Sequence, residues 1–204
     1  MRGRGGIRPP RPLVVSAAVV ADTGGYTLIE ILFVTSLIAI VSAIAVPQSL
    51  VTLDRARAAA AARYLASRMA MARSHAVMRS AHVALRFDED PSGITFRMFV
   101  DGNHNGVRTS DMASDVDPPL DAPARLSDLF PGVAIAVAGE AGTDPLRIGS
   151  SNLLSFTPLG TATPGSIYVR GRDGSQFAVR VLGATGRARV LRYLPHSGEW
   201  TDGV

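Results

Sequence analysis

Three groups of residues have types and spacings suited to chemistry. Glu30 is a lone carboxylate within an otherwise apolar run, residues 26–47. A charge in such a run is expensive in a bilayer and must be paired or protonated. Arg187 and Arg189 lie two apart in Gly186-Arg187-Ala188-Arg189. On a strand, residues i and i+2 share a face, so both guanidiniums are placed to grip neighbouring phosphates. Arg192, with Arg180, Arg170 and Arg172, extends that candidate patch, although a Gly-Arg turn is also an ordinary structural feature. The third group is Asp101-Gly102-Asn103-His104-Asn105-Gly106. Its D-x-N-x-N-G spacing offers oxygens from Asp101, Asn103 and Asn105, as in an EF-hand-like Ca²⁺ loop. Position 12 is Met112 rather than Glu, so Asp111 or Asp115 would have to substitute. A metal-free turn after a strand ending at Val100 is the simpler reading, with calcium the alternative and no other cofactor implied.

Glu30 requires an element that holds it in or beside a membrane. Gly24-Gly25 runs into an apolar segment long enough to cross a bilayer as a helix. Tyr26-Thr27-Leu28-Ile29-Glu30, with Pro47 further on, resembles the class III signal of type IV pilins and type II secretion pseudopilins. The resemblance implies cleavage by a prepilin peptidase between Gly25 and Tyr26 and methylation of the new N-terminus. Glu30 becomes the fifth mature residue. Its implied partner is the methylated amine of Tyr26 on an adjacent subunit, which sets register as subunits leave the bilayer. Pro47 falls where pilin helices often kink. Ala72-Arg73-Ser74-His75-Ala76-Val77 is similar to the segment A-R-S-E-A-I of GspH/FimT-type minor pseudopilins, with His75 in place of Glu. Phe156-Thr157-Pro158-Leu159-Gly160 and Ser166-Ile167-Tyr168-Val169 resemble the C-terminal half of the same family. FimT-type pilins that take up DNA carry a G-R-x-R motif, which residues 186–189 match.

The leader, residues 1–25, carries Arg2, Arg4, Arg8 and Arg11, a positive flank suited to the cytoplasmic side. It departs from the pilin pattern in its apolar run Leu13–Ala21 followed by Asp22. Cleavage leaves about 179 of the 204 residues, enough for one helix and one domain. Cysteine is absent and all 21 basic residues are Arg, which excludes thiol chemistry and disulfides. The mature chain has 17 Arg against 16 acids, so net charge gives no argument for nucleic-acid binding. Charge is unevenly placed, however. From Asp88 to Asp128 nine acids face three Arg, and from Arg170 to Arg192 six Arg face Asp173 alone. Such asymmetry predicts one acidic and one basic surface.

The helix is predicted to continue beyond Pro47, because Asp54–Arg79 is rich in good helix formers and lacks Gly and Pro. Two apolar stripes run along it: Leu53, Tyr64, Met71 and Met78 on one, and Leu65, Met69, Ala72 and Ala76 on the other. One stripe suits the chain's own domain and the other neighbouring helices; a single wide core face is the alternative. Strands are predicted at Ala81–Phe87, Ile94–Val100, Val133–Ala138, Leu153–Phe156, Ser166–Arg170, Gln176–Leu182 and Ala188–Tyr193. Trp200, Tyr193 and Pro195 read as a strand-end packing cluster. The expected architecture is α+β, a long N-terminal transmembrane α-helix packed on a C-terminal antiparallel β-sandwich of two sheets. It divides into a leader (1–25), a transmembrane half-helix (26–47), an amphipathic half-helix (48–80) and a globular β domain (81–204). The four histidines are scattered, and no serine sits in a nucleophile elbow, so no enzyme is indicated. The resemblance implies a structural subunit of a type II secretion pseudopilus or type IV pilus, with initiation or tip placement favoured over bulk filament. Its partners would be other pilins or pseudopilins, prepilin peptidase and the inner membrane. The domain would lie in the periplasm or on a surface filament. The alternative is a FimT-like DNA-binding minor pilin.

Overall fold

Thr27 opens the first element. Its Oγ1 accepts the Glu30 N–H at 3.3 Å, and Thr27-x-x-Glu30 has capping-box spacing. The computed structural model describes residues 25–137 and 143–203. The leader basics, Leu13–Ala21, Asp22, Gly24 and the end of the predicted strand at Ala138 lie outside the described residues. Helix α1 runs from Leu28 to Arg79 with Pro47 inside it, as expected. The chain divides into two units, one ending at Ala43 and the other starting at Ile44.

The first unit holds the apolar half of α1, whose Leu28, Ile29, Phe33, Ile38 and Val41 are all exposed. Two of its hydroxyls are satisfied within the helix. Thr35 Oγ1 donates to the Ile31 carbonyl at 2.8 Å and Ser36 Oγ to the Phe33 carbonyl at 2.8 Å. Such back-bonding removes the cost of a bare hydroxyl in hydrocarbon.

In the second unit, α1 buries Ala58, Ala61, Ala62, Leu65, Met69, Ala72 and Ala76 completely. The 3–4 spacing makes one face, and its small residues let sheet backbones come close. The stripe of Leu65, Met69, Ala72 and Ala76 is therefore the domain-facing one. The other stripe divides. Leu53, Met71 and Met78 are exposed, whereas the Tyr64 ring sits 6.4 Å from Phe96 and 5.7 Å from Phe130, centroid to centroid. Helix α1 ends in a Schellman arrangement: Ala81 N–H bonds the Ala76 carbonyl at 3.3 Å and Ser80 N–H the Val77 carbonyl at 3.4 Å. Ser80 takes the left-handed position (φ 51°) where Gly is usual, so composition alone did not mark this stop.

The remaining elements follow in order: β1 (Val83–Asp90), β2 (Gly93–Val100), α2 (Thr109–Ala113), β3 (Ala124–Arg125), α3 (Leu126–Leu129), β4 (Val133–Ile135), β5 (Leu146–Arg147), β6 (Leu153–Phe156), β7 (Gly165–Gly171), β8 (Gln176–Leu182), β9 (Arg187–Leu194) and β10 (Glu199–Asp202). All seven predicted strands are present, within one to three residues at their described ends. β3, β5 and β10 were not foreseen. Two antiparallel sheets result. Sheet A has the order β3-β2-β1-β6; sheet B has the order β10-β9-β8-β7-β4, with β5 also on β7. Their inner faces share one core with α1, including Leu85, Phe87, Phe96, Leu154, Phe156, Ile167, Val169, Phe177 and Val179. Asp121 pins the segment before β3: it pairs with Arg68 of α1, and its Oδ1 accepts the Met98 N–H at 2.8 Å.

Candidate functional site

At the N-terminus, Gly25 and Tyr26 precede the helix and Glu30 lies in its first turn, all exposed. A methyl group added at Gly25 would meet nothing within 4 Å, so packing within the described chain gives no reason for glycine there. The carboxylate at Glu30 complements the positive helix end. Thr27, which sequence reading treated only as part of a pattern, supplies the cap.

The basic residues of β9 divide by alternation. Ala188 and Val190 pack against the core, which turns Arg187 and Arg189 to the outer face of sheet B, both exposed. Arg192 has the parity of Ala188 and Val190 and pairs with the core residue Phe177. It therefore falls on the opposite side and does not extend this patch, a correction to the sequence reading. Register supplies others instead. Arg189 stands opposite Arg180, Arg180 opposite Ser166, and Ser166 opposite Arg147. An arginine row thus crosses β9, β8 and β5, with Arg170 on the same face nearby. Arg172 lies in the β7–β8 turn instead. Among the described residues no acid pairs with Arg147, Arg170, Arg180, Arg187 or Arg189. Arg180 Nε donates to Ser166 Oγ at 3.3 Å, and the Arg147 guanidinium sits 5.4 Å from the Tyr168 ring centroid.

Tyr193 and Trp200 pair across β9 and β10, with ring centroids 5.2 Å apart. Trp200 also reaches Tyr168 of β7, at 5.6 Å. These rings lie across the outer face, and Ala178 on that face is only 2 % exposed, as a small residue beneath such rings would be. Arg147 and Tyr168 escaped sequence reading because β5 has only two residues and shows no alternation. The glycine of the motif has a structural task. Gly186 has φ +57°, and a side chain there would run into the Gly160 carbonyl and Arg73. Arg73 Nε in turn donates to that carbonyl at 3.0 Å.

The 101–117 loop is closed on itself. Asp101 is 3 % exposed, and its carboxylate accepts the Asn103 N–H at 3.2 Å and the Gly106 N–H at 2.7 Å. Asp117, fully buried, accepts Gly102 N–H at 3.1 Å and Arg108 N–H at 2.9 Å. Asp111 Oδ2 takes the side-chain amides of Asn103 at 3.1 Å and Asn105 at 3.0 Å. The Asn105 amide, then the Ser110 hydroxyl, holds the Asp111 carboxyl below its ordinary pKa. Asp90 is likewise lowered, by Ser92 first and Arg125 after it. Among the described residues no group of three His, Cys, Asp or Glu converges as metal ligands. The acids of the 88–128 stretch are thus largely engaged locally, whereas the later arginines line an open sheet.

The family model for the type II transport protein GspH matches residues 61–186. That span runs from the buried half of α1 to the turn before β9. The chain belongs to the GspH family. GspH proteins are minor pseudopilins of type II secretion, structural subunits rather than enzymes. No curated protein matches the chain. Among solved structures, the minor pseudopilin EpsH from the type 2 secretion system of Vibrio cholerae is similar, with 14 % identity and a TM-score of 0.42. That match covers 64 % of this chain and 93 % of EpsH. In this GspH chain the Arg73 contact, Arg147, Arg170 and Arg180 fall inside the family match, and Arg187 and Arg189 fall just beyond it.

Proposed function

We propose that this GspH chain is made as a precursor, cut between Gly25 and Tyr26 by prepilin peptidase and methylated at Tyr26. The apolar segment 26–47, which is the first part of α1 with the two residues before it, then holds it in the inner membrane with the domain in the periplasm. From there it joins a type II secretion pseudopilus alongside other pseudopilins. The observation that carries this reading is one continuous 52-residue helix with two kinds of surface. Its first half exposes apolar side chains all round, and its second half buries an alanine-rich face in the domain. Glu30 pairs with the Tyr26 amine of the adjacent subunit, so that two charges leave the bilayer as a neutral pair. Intact mass of the purified protein is expected to begin at methylated Tyr26. Glu30→Leu is expected to remain membrane-bound and processed but absent from sheared filaments. A Glu30→Leu protein that enters filaments at the normal level would sink the pairing role.

A second reading, DNA capture, is supported by the register that sets Arg189 beside Arg180, with Arg187 on the same face. Phosphate contacts of this kind are sequence-independent and weaken steeply with salt. The full mature chain in detergent should bind DNA at low salt and lose that binding with Arg187→Ala plus Arg189→Ala. Binding unchanged in the double variant would remove the reading.

A further inference from the structure

Two properties of the outer face of sheet B point to its partner. The first is electrostatic. Arg180 and Arg189 stand directly opposite one another on paired strands, an arrangement that destabilises a sheet. The register places a single acid, Asp202, among the strand positions of this face, opposite Leu191 rather than beside the arginines. The second is aromatic. Trp200, Tyr193 and Tyr168 lie half-buried on that face, tilted 51° and 60° at the two contacts Trp200 makes. Tilted rings cannot fully cover one another's faces. The rings cover Ala178, and an acidic protein surface would satisfy the arginines without stacking on the ring faces that stay open. A DNA duplex keeps its base faces stacked inside, beyond their reach.

We infer that this face is a platform for single-stranded nucleic acid, with Arg147, Arg180 and Arg189 following the backbone phosphates and Trp200 with Tyr193 stacking a base. The inference rests on the DNA-capture reading above and names its substrate class. The physics is that of other single-strand binders, in which a basic track carries the phosphates and aromatic rings take bases without regard to sequence. A sheet surface with outward aromatics serves the same purpose in several RNA-binding modules. The row from Arg147 to Arg189 crosses three strand spacings, about 15 Å, enough for two or three nucleotides. Arg170 and Arg187 extend the positive field around that path.

Trp200 is the only tryptophan in the chain, so its fluorescence reports this face alone. The mature full chain in detergent is titrated with oligo(dT) and with a duplex of equal length, at two salt concentrations. The expected result is quenching by oligo(dT), with affinity for the single strand at least about tenfold above the duplex. Trp200→Leu should abolish that preference while leaving arginine-dependent duplex binding, and Trp200→Phe should restore it. Equal affinity for both strand forms without quenching overturns the platform and leaves DNA capture standing. Failure to bind either form overturns both. Preference that survives Arg147→Ala plus Arg180→Ala overturns the assigned phosphate path.

Discussion

Arg73 shows how a residue's contacts can differ from its sequence meaning. It stands out in the chain only as part of a short family-like segment. In the fold it crosses from α1 to the Gly160 turn and closes against Gly186. Arg73→Ala removes a hydrogen bond to a carbonyl that turns inward, and is expected to cost about 1–2 kcal/mol in chemical denaturation. Gly186→Ala forces a side chain into a left-handed position against that carbonyl and should cost about 1–3 kcal/mol. Equal stability of either variant to the parent would mean that the turn has another support. The carboxylates give a second residue-scale expectation. Asp90 and Asp111 have pKa values lowered by hydrogen bonds made to the charged form. Their contribution to stability is therefore present above the unfolded carboxylate value and is lost as pH falls through the lower folded values. Carbon-detected NMR titration should place both below 3.8 in the folded protein, with melting temperature falling in that acid range. Glu30 and the Gly25–Tyr26 junction are linear features of the sequence, one carboxylate within an apolar run, and the fold adds to them only the Thr27 cap. The arginine face was only half legible, since its row is assembled from three strands and one of them has two residues.

Among elements, α1 was the most readable. Its apolar half and its alanine-rich half each extend over many turns, and the stripe that packs on the sheets was visible at 3–4 spacing. What periodicity did not resolve is Tyr64, drawn off its stripe by two phenylalanines, and the helix stop at Ser80, which lacks the usual glycine. The packing gives a direct expectation. Leu65 is fully buried in the shared core, so Leu65→Ala should cost about 2–5 kcal/mol. Ala62, equally buried on the same face, has no room to grow; Ala62→Leu should destabilise by about 1–3 kcal/mol through overpacking. Met78→Ala, on the exposed stripe at 72 % exposure, should leave stability within about 0.5 kcal/mol. Thermal unfolding of the three variants checks this ordering, and a Met78 effect as large as that of Leu65 would contradict the assignment of faces. The longer strands were legible from alternation between turn signals. β3 and β5 were not, because two residues show no period, and pairing partners alone define them.

For the whole molecule, sequence reading anticipated an α+β chain with two antiparallel sheets, and the GspH match and the fold agree with it. Strand order was beyond its reach, and so was the sharing of one core by strands distant in sequence. Charge asymmetry was visible as composition, but only the fold shows that most acids are tied into local contacts while the late arginines remain on a surface. The sheet order also dictates timing. β7 to β10 form a meander in which each strand pairs with the next one in the chain, so its loops close quickly. β6 must instead return to β1, joining positions as distant as Leu85 and Leu154, a slow closure. A chain synthesised from its N-terminus exposes the alanine face of α1 and the β1–β2 hairpin well before either partner sheet is complete. Hydrogen-exchange pulse labelling during refolding should protect β8 and β9 amides first and the β6 side of β1 last. Until β6 arrives, the nascent subunit is a half-fold with an open core, the stage at which a protease or holdase would find it.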